Sequence, residues 1–230
     1  RRLRGRRGGI RGAVAPLIGT TVERATALAA SLEGRGFLNS SRAAEHECAA
    51  PIDLEDVTLQ LSDGRTILRD VTFSLAPGTV TLVTGATGSG KTTLLRTIAG
   101  LFDTFDHGEQ SGRVRVGGVD RHGLSARATA AFVSYVPQDP RSSFVCETVA
   151  EEIGLARALR GDNRHSIDAR VALLARTMGI SHLLPRSVGH LSAGEATLVA
   201  LAAALISEPT VLLIDEPFAD LDDGALDRVA

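Results

Sequence analysis

The sequence contains little lysine, little cysteine and few aromatic side chains. Lys91 is the only lysine among 25 lysines and arginines, and aromatic residues make up 3% of the 230 residues. The two cysteines, Cys48 and Cys146, have no CxxC spacing, which is typical of free thiols in a reducing compartment. The six histidines show no metal-ligand pattern. The shortage of aromatics and a net charge of −2 argue against a nucleic-acid partner, although arginines crowd residues 1–11.

Long apolar runs are also missing. No run reaches the roughly 20 residues that are needed to cross a bilayer, and no signal peptide is recognisable. The chain begins with Arg1 rather than Met, so we expect it to be a piece of a longer protein. A hydrophobic content of 43% and a charged content of 23% predict a globular domain with a buried core.

From residue 52 onward the pattern predicts alternating strands and helices. Residues 52–75 alternate between polar and apolar and predict a hairpin around the turn SDGR at 62–65. The apolar run VTLVTG at 80–85 predicts a buried strand, and KTTLLRTIAGLF at 91–102 predicts a helix. Further strands are predicted at 112–118, 130–138 and 210–217. Residues 143–190 are predicted to be mainly helical, and another helix is predicted at 194–209.

The lone lysine lies in a glycine-rich loop between the third predicted strand and the first predicted helix. Residues 85–92 match G-x-x-x-x-G-K-[ST], the P-loop pattern. We expect Gly85, Gly88 and Gly90 to adopt left-handed conformations and to let the backbone approach an anion closely. Lys91 offers a compact charge to phosphates, where the wide fork of an arginine does not fit. A chance glycine-rich turn is the alternative. The predicted nucleotide-binding residues are Gly85, Ala86, Thr87, Gly88, Ser89, Gly90, Lys91, Thr92 and Thr93.

Two further segments carry candidate functional residues. The apolar run VLLIDEP at 211–217 places Asp215 and Glu216 at the carboxyl end of a strand, where α/β sheets bind ligands. Asp215 suits Mg²⁺, and Glu216 suits a general base. Acids at the solvated end of a strand are the alternative. The segment LSAGE at 191–195 places Ser192 at a helix start, which predicts an anion site or, read alone, an ordinary N-cap with Glu195 completing a capping box.

In this order the P-loop, LSAGE and VLLIDEP resemble the ATP-binding cassette (ABC) family, whose signature is usually LSGGQ. The resemblance implies an α/β fold over residues 52–230: a P-loop NTPase (ABC-type) core, an antiparallel β subdomain and a helical signature subdomain. It implies ATP and Mg²⁺ as cofactors. It also implies that the catalytic residues are Lys91, Gln138 and Glu216. The implied metal ligands are Thr92, Gln138 and Asp215. Ser192 and Gly194 are implied to contact the nucleotide bound by a second ATPase domain. Residues 219–222 resemble the D-loop.

The match to this family is imperfect at three places. Glu195 stands where glutamine is usual, and its charge is expected to weaken phosphate binding. Leu61 stands near the position where an aromatic residue usually stacks on adenine. The chain ends before the switch histidine of the family, so we expect this chain to bind ATP and to hydrolyse it poorly on its own.

Two segments point to one branch of the family. Residues 137–156, PQDPRSSFVCETVAEEIGLA, resemble the Q-loop region of energy-coupling-factor and cobalt-type importer ATPases. Residues 14–37 are similar to the last coupling helix of the transmembrane T component of such importers. The resemblance implies that residues 1–37 are a basic leader with a coupling-type helix, in which Arg35 docks beside a Q-loop, and that residues 38–51 are a linker. An ordinary amphipathic helix with a basic leader is the alternative.

The sequence therefore predicts an ATPase domain that powers a membrane importer for vitamins or metal ions from the cytoplasmic face of the membrane. The predicted partners are a second ABC ATPase domain, identical or different, a T component, either fused to this chain or separate, and a substrate-binding membrane subunit. The alternatives are a catalytically weak regulatory or scaffold half, and a soluble ABC-type ATPase that acts on ribosomes or DNA.

Overall fold

A computed structural model describes residues 52–121 and 124–216 of the chain. The chain divides after Ala126 into two compact units. The predicted leader and coupling-type helix (1–37), the linker (38–51) and the D-loop (219–222) lie outside the described residues. Within the described ranges, no helix is both long enough and apolar enough to span a membrane.

The first unit contains an antiparallel sheet. Strands β1 (Ile52–Leu61) and β2 (Thr66–Leu75) form the predicted hairpin, and β3 (Gly108–Val116) and β4 (Val119–Asp120) extend it in the order β2-β1-β3-β4. Strand β1 buries Leu54, Val57 and Leu59 completely, and an irregularity between Leu54 and Val57 shifts the alternation by one residue. The antiparallel β subdomain is therefore confirmed. The strand predicted at 112–118 is confirmed as β3, which begins earlier than predicted.

The first helix is shorter than its apolar spacing predicts. Helix α1 (Lys91–Ala99) ends at Gly100, which has a φ of 72°, and a separate short helix α2 (Phe102–Phe105) follows. A left-handed glycine commonly ends a helix because it turns the chain away while its N–H bonds the last carbonyls. Here the Gly100 N–H donates to the carbonyls of Arg96 and Thr97.

The strand predicted at 80–85 is wrong. This segment forms no regular element, and Val80, Leu82 and Val83 are 59%, 42% and 39% exposed. A strand requires hydrogen bonds from a neighbouring strand, and no strand of the described residues pairs with this segment. A short apolar run indicates a preference for burial but does not specify a pairing partner.

The second unit combines a parallel strand pair with helices. Strands β5 (Val133–Val136) and β6 (Val211–Ile214) lie in the predicted segments and pair in parallel. The helices are α3 (Ala126–Thr129), α4 (Val149–Leu159), α5 (Arg164–Thr177) and α6 (Ala193–Leu205), with short 3₁₀ turns at Pro140–Ser143, Ser181–Leu183 and Val188–His190. Helix α4 packs against α5 and α6, and α6 packs against β5. The mainly helical stretch predicted at 143–190 is confirmed, whereas α6 ends before the predicted stop at Pro209.

Candidate functional site

The glycine-rich loop precedes α1 in the first unit, and glycine is required in it for two different reasons. Gly88 and Gly90 have φ angles of 80° and 92°, in the left-handed region that L side chains rarely adopt. Gly85 is not in that region, so the expectation of a left-handed Gly85 is wrong. A Cβ on Gly85 would lie 2.6 Å from Ser89 Oγ, so any side chain there would force the Ser89 hydroxyl to move.

The ammonium group of Lys91 lies over this loop. Its Nζ donates hydrogen bonds to the carbonyl oxygens of Gly85, at 3.1 Å, and Ala86, at 3.4 Å. The Ser89 N–H donates to the Ala86 carbonyl at 3.1 Å and closes the turn. Residues 85–89 are exposed to solvent. The lysine charge is therefore held at an open concave loop, where a soluble anion can reach it.

The start of α1 presents the positive end of a helix. Gly90 is the N-cap and provides no side-chain hydrogen bond, and the first turn contains no acidic residue. The first N–H groups of a helix have no partner within the helix, and the positive end of the helix dipole attracts anions. The predicted residues Thr92 and Thr93 lie in this first turn, with Thr92 half-buried and Thr93 8% exposed. The tight loop, the uncapped helix and the lysine together fit the phosphate groups of a nucleotide.

The predicted acids lie in the second unit, directly after β6. Asp215 is 2% exposed, and its backbone N–H donates to the Val136 carbonyl, which continues the ladder between β5 and β6. Tyr135 of β5 donates its hydroxyl to Asp215 Oδ2 at 3.1 Å. Glu216 is exposed and has a φ of 46°. The strand thus holds one acid in a fixed buried place and presents the next to solvent.

Gln138 follows β5 at the same end of the parallel pair as Asp215. Its side chain is exposed, and the next residues form the 3₁₀ turn at Pro140–Ser143. Asp139 caps that turn by accepting from the Arg141 N–H at 3.2 Å. Because both strands end here, Gln138 and Asp215 lie at one edge of the sheet, which is the edge where α/β sheets bind ligands.

The signature segment begins α6 with a complete capping box. The Ser192 Oγ accepts from the Glu195 N–H at 3.3 Å, and Glu195 Oε2 accepts from the Ser192 N–H at 2.7 Å. Read alone, the segment predicts this N-cap, and the structure contains it. The predicted Gly194 lies between these residues in the first helical turn. The Ser192 hydroxyl also hydrogen-bonds the Glu195 carboxylate, so both side chains of the cap contact each other.

The charge of Glu195 is compensated within the chain. Arg186 Nη1 lies 2.8 Å from Glu195 Oε1, and Arg186 Nη2 donates to the His190 carbonyl at 2.7 Å. The hydrogen bond from the Ser192 backbone N–H lowers the pKa of Glu195, and Arg186 lowers this pKa further. The expectation that Glu195 weakens phosphate binding stays a prediction. The positive charge of Arg186 offsets part of the negative charge on which that expectation depends.

Three residues near the predicted site are not apparent from the sequence. Tyr135 contacts Asp215, Arg186 contacts Glu195, and Arg141 donates through Nη2 to the carbonyl of Leu191, at the start of the signature segment. The Tyr135 contact depends on the parallel pairing of β5 with β6, which the two predicted strands do not specify by themselves. The two arginine contacts join residues across loops, for which no periodic signal exists.

A tight glycine loop with a lysine over its carbonyls, entering an uncapped helix, defines a P-loop nucleotide-binding protein. The chain belongs to the ABC transporter family, whose sequence model matches residues 68–219, and it is an ATPase domain of that family. ATP is the nucleotide that such a domain binds.

Similar proteins include ATP-binding proteins of importers and of other ABC transporters. The chain is 39% identical over 155 residues to a molybdate/tungstate import ATP-binding protein of Pyrococcus abyssi, an alignment that covers 67% of the chain and 43% of that protein. It is 37% identical over 168 residues to a putative ABC transporter ATP-binding protein of Brucella suis, covering 73% of the chain and 68% of the relative. Its structure matches cbiO1 from Clostridium perfringens, described as part of the ABC transporter complex cbiONQ. That match has a TM-score of 0.67 and 26% identity, and it covers 78% of this chain and 70% of the other.

Proposed function

We propose that this chain is the ATP-hydrolysing motor domain of a membrane importer of the energy-coupling-factor type. The observation that carries the proposal is the placement of the Lys91 ammonium over the carbonyls of an open P-loop at an uncapped helix start. The likeness to a molybdate/tungstate import protein and to a component of a transporter complex supports import. Vitamins and metal ions are the proposed cargo classes.

The residues divide the chemistry of phosphoryl transfer among them. The backbone of residues 85–90 and Lys91 bind the phosphates of ATP and offset their charge. Thr92 in the first unit, and Gln138 and Asp215 in the second, each carry an oxygen that suits Mg²⁺, which would supply further charge neutralisation. Glu216 is exposed beside the buried Asp215 and orients the attacking water as a general base. Catalysis in such a site comes mainly from positioning and electrostatics.

The signature segment acts on a second copy of the domain. In the proposed assembly two ATPase domains, identical or different, enclose ATP so that Ser192 and Gly194 of one face the P-loop of the other. The hydroxyl of Ser192 and the N–H groups at the start of α6 are suitable donors to a phosphate.

The membrane partners are a transmembrane T component and a substrate-binding membrane subunit, with this domain at the cytoplasmic face of the membrane. The resemblance of residues 14–37 to the end of a T component supports a fusion of scaffold and motor in one longer protein.

A catalytically weak regulatory half is a second candidate. Leu61 lies at the end of β1, where it offers an adenine ring an aliphatic surface but no aromatic face. Weak adenine stacking is expected to lower nucleotide affinity, which suits a half-site that binds ATP without rapid turnover.

Replacement of Glu216 by Gln in the full-length protein, assembled with its membrane partners, distinguishes the two candidates. A motor loses ATP-driven uptake and ATP hydrolysis while keeping ATP affinity, because the amide cannot accept a proton from water. The matched control is Glu109→Gln, which makes the same change at an exposed position on β3. Undiminished uptake by Glu216→Gln would identify the chain as a scaffold half.

A further inference from the structure

The chain contains a single tyrosine and no tryptophan. That tyrosine, Tyr135, is half-buried on β5 and donates its hydroxyl to Oδ2 of Asp215 at 3.1 Å. None of the motifs that define the proposed site includes Tyr135, so its contact with the buried acid requires its own explanation.

The parallel pairing of β5 and β6 makes the contact possible. Tyr135 is opposite Leu213, and Val136 is opposite Ile214. Side chains two residues apart on a strand share a face, so Asp215 lies on the face of Tyr135, about 6.6 Å further along the strand direction. Only a long side chain crosses that distance, and tyrosine carries its donor at the far end of the ring. The register of the two strands therefore fixes which atoms meet.

The Asp215 carboxylate needs such a donor. Its side chain is 2% exposed, and a buried carboxylate is stable only when its oxygens accept hydrogen bonds. An aspartate has few rotamers, and a donor on one oxygen favours the rotamer in which that hydrogen bond is made. The Tyr135 hydroxyl is a neutral donor, so it restricts the Asp215 carboxylate without neutralising the charge of the carboxylate. A positively charged donor would neutralise that charge.

We propose that Tyr135 is a positioning residue for the carboxylate of Asp215, which would bind Mg²⁺: its hydrogen bond to Oδ2 holds the carboxylate in one orientation. The inference rests on the proposed function, because it assigns Asp215 to the metal site. Removing the hydroxyl removes this restraint on the carboxylate, so metal binding weakens while phosphate binding by the P-loop is retained.

The direct test is Tyr135→Phe in the full-length protein, which keeps the ring and removes one oxygen. We expect the Mg²⁺ concentration at half-maximal ATP hydrolysis to rise about tenfold, since a hydrogen bond to a charged group contributes that much to an equilibrium. Affinity for ATP without Mg²⁺ is expected to be unchanged. The matched control is Ser134→Ala, since Ser134 on the same strand donates to the Ala204 carbonyl at 2.9 Å and its loss is purely structural.

A second measurement does not depend on turnover. Because Tyr135 is the only tyrosine of this 230-residue chain and tryptophan is absent, emission excited at the phenol band reports this side chain alone. A phenol that donates to a carboxylate has quenched emission. We expect Asp215→Ala to raise the emission of the nucleotide-free chain, and Mg²⁺ with ATP to change the emission of the wild type but not of Asp215→Ala.

The outcomes separate the inference from the proposed function. If Lys91→Ala abolishes ATP binding but Tyr135→Phe keeps the Mg²⁺ dependence of the wild type, the Tyr135 inference is wrong and the ATPase assignment stands. An equal shift in Ser134→Ala, or unchanged emission in Asp215→Ala, also overturns the inference. If the wild type shows no Mg²⁺-dependent ATP binding, the proposed function fails, and the emission of Asp215→Ala alone still decides whether the contact exists.

Discussion

At the scale of residues, the chain uses lysine and arginine for different tasks. Lys91 is a compact charge that reaches two carbonyls of one tight loop. Arg186 uses its planar fork to join Glu195 to the His190 carbonyl, and Arg141 reaches the Leu191 carbonyl. A fork with donors fixed in one plane suits such bridges, whereas a narrow phosphate loop suits a point charge. One lysine in an arginine-rich chain is a consequence of this difference.

The ion pair of Glu195 predicts a pH-dependent stability. The pKa of Glu195 is lowered in the folded chain from its ordinary value of 4.5, so its contribution is complete above that value and is lost as the pH falls through the lower folded pKa. Glu195→Gln keeps the capping box but removes the charge. We expect a loss of less than about 1 kcal/mol at pH 7, because Arg186 is 40% exposed and solvent screens the pair.

Urea unfolding of wild type and Glu195→Gln between pH 7 and pH 3 measures this contribution. The difference in free energy of unfolding should shrink steadily as the pH falls below 4.5 and the carboxylate is protonated. A difference that is constant over the whole range would contradict the role given to this ion pair.

At the scale of elements, two helices of the second unit start with the same device. Helix α4 begins with a capping box of Thr148 and Glu151, and α6 begins with one of Ser192 and Glu195. Each cap satisfies N–H groups that the helix itself leaves unpaired. The two differ in proposed task, since only the cap of α6 lies in the signature segment.

The comparison of the two capping boxes predicts that the Ser192 cap contributes to ATP hydrolysis as well as to stability, whereas the Thr148 cap contributes only to stability. Thr148→Ala and Ser192→Ala should each lower the free energy of unfolding by about 1 kcal/mol, the usual effect of losing a cap. Only Ser192→Ala should also reduce ATP hydrolysis in the assembled transporter, because only Ser192 is proposed to contact the nucleotide of a partner domain. Urea unfolding and steady-state hydrolysis of both variants test this, and equal hydrolysis by the two would show that Ser192 is only a cap.

Elements with strong local signals were predictable from the sequence. The alternation of residues 52–75 and their glycine-containing turn specify a hairpin, and SxxE specifies the start of α6. Residues 80–85 were not predictable in the same way, because apolar character does not identify a strand's partner. In the site, the P-loop pattern marked the loop and its lysine, whereas the Tyr135 and Arg186 contacts depend on tertiary pairing that no local pattern contains.

At the scale of the whole molecule, the order of the motifs was more informative than the composition. Length, net charge and hydrophobic content are those of many globular proteins. The sequence of P-loop, signature segment and acidic strand end indicated the ABC family, and the family match over residues 68–219 confirms it. Three predictions remain untested: the importer type, the second ATPase domain and the membrane partners. They depend on other protein chains that would bind this one.

The central claim is that the loop at residues 85–90 and Lys91 bind the phosphates of ATP. Isothermal titration of ATP with Mg²⁺ into wild type, Lys91→Ala and Lys91→Arg measures it directly, with Arg164→Lys as a control at a side chain that is 93% exposed. We expect both Lys91 variants to lose at least about tenfold in affinity, because each removes a hydrogen-bonded charge that arginine cannot restore, and the control to match wild type. Equal affinities for wild type and Lys91→Ala would contradict the account.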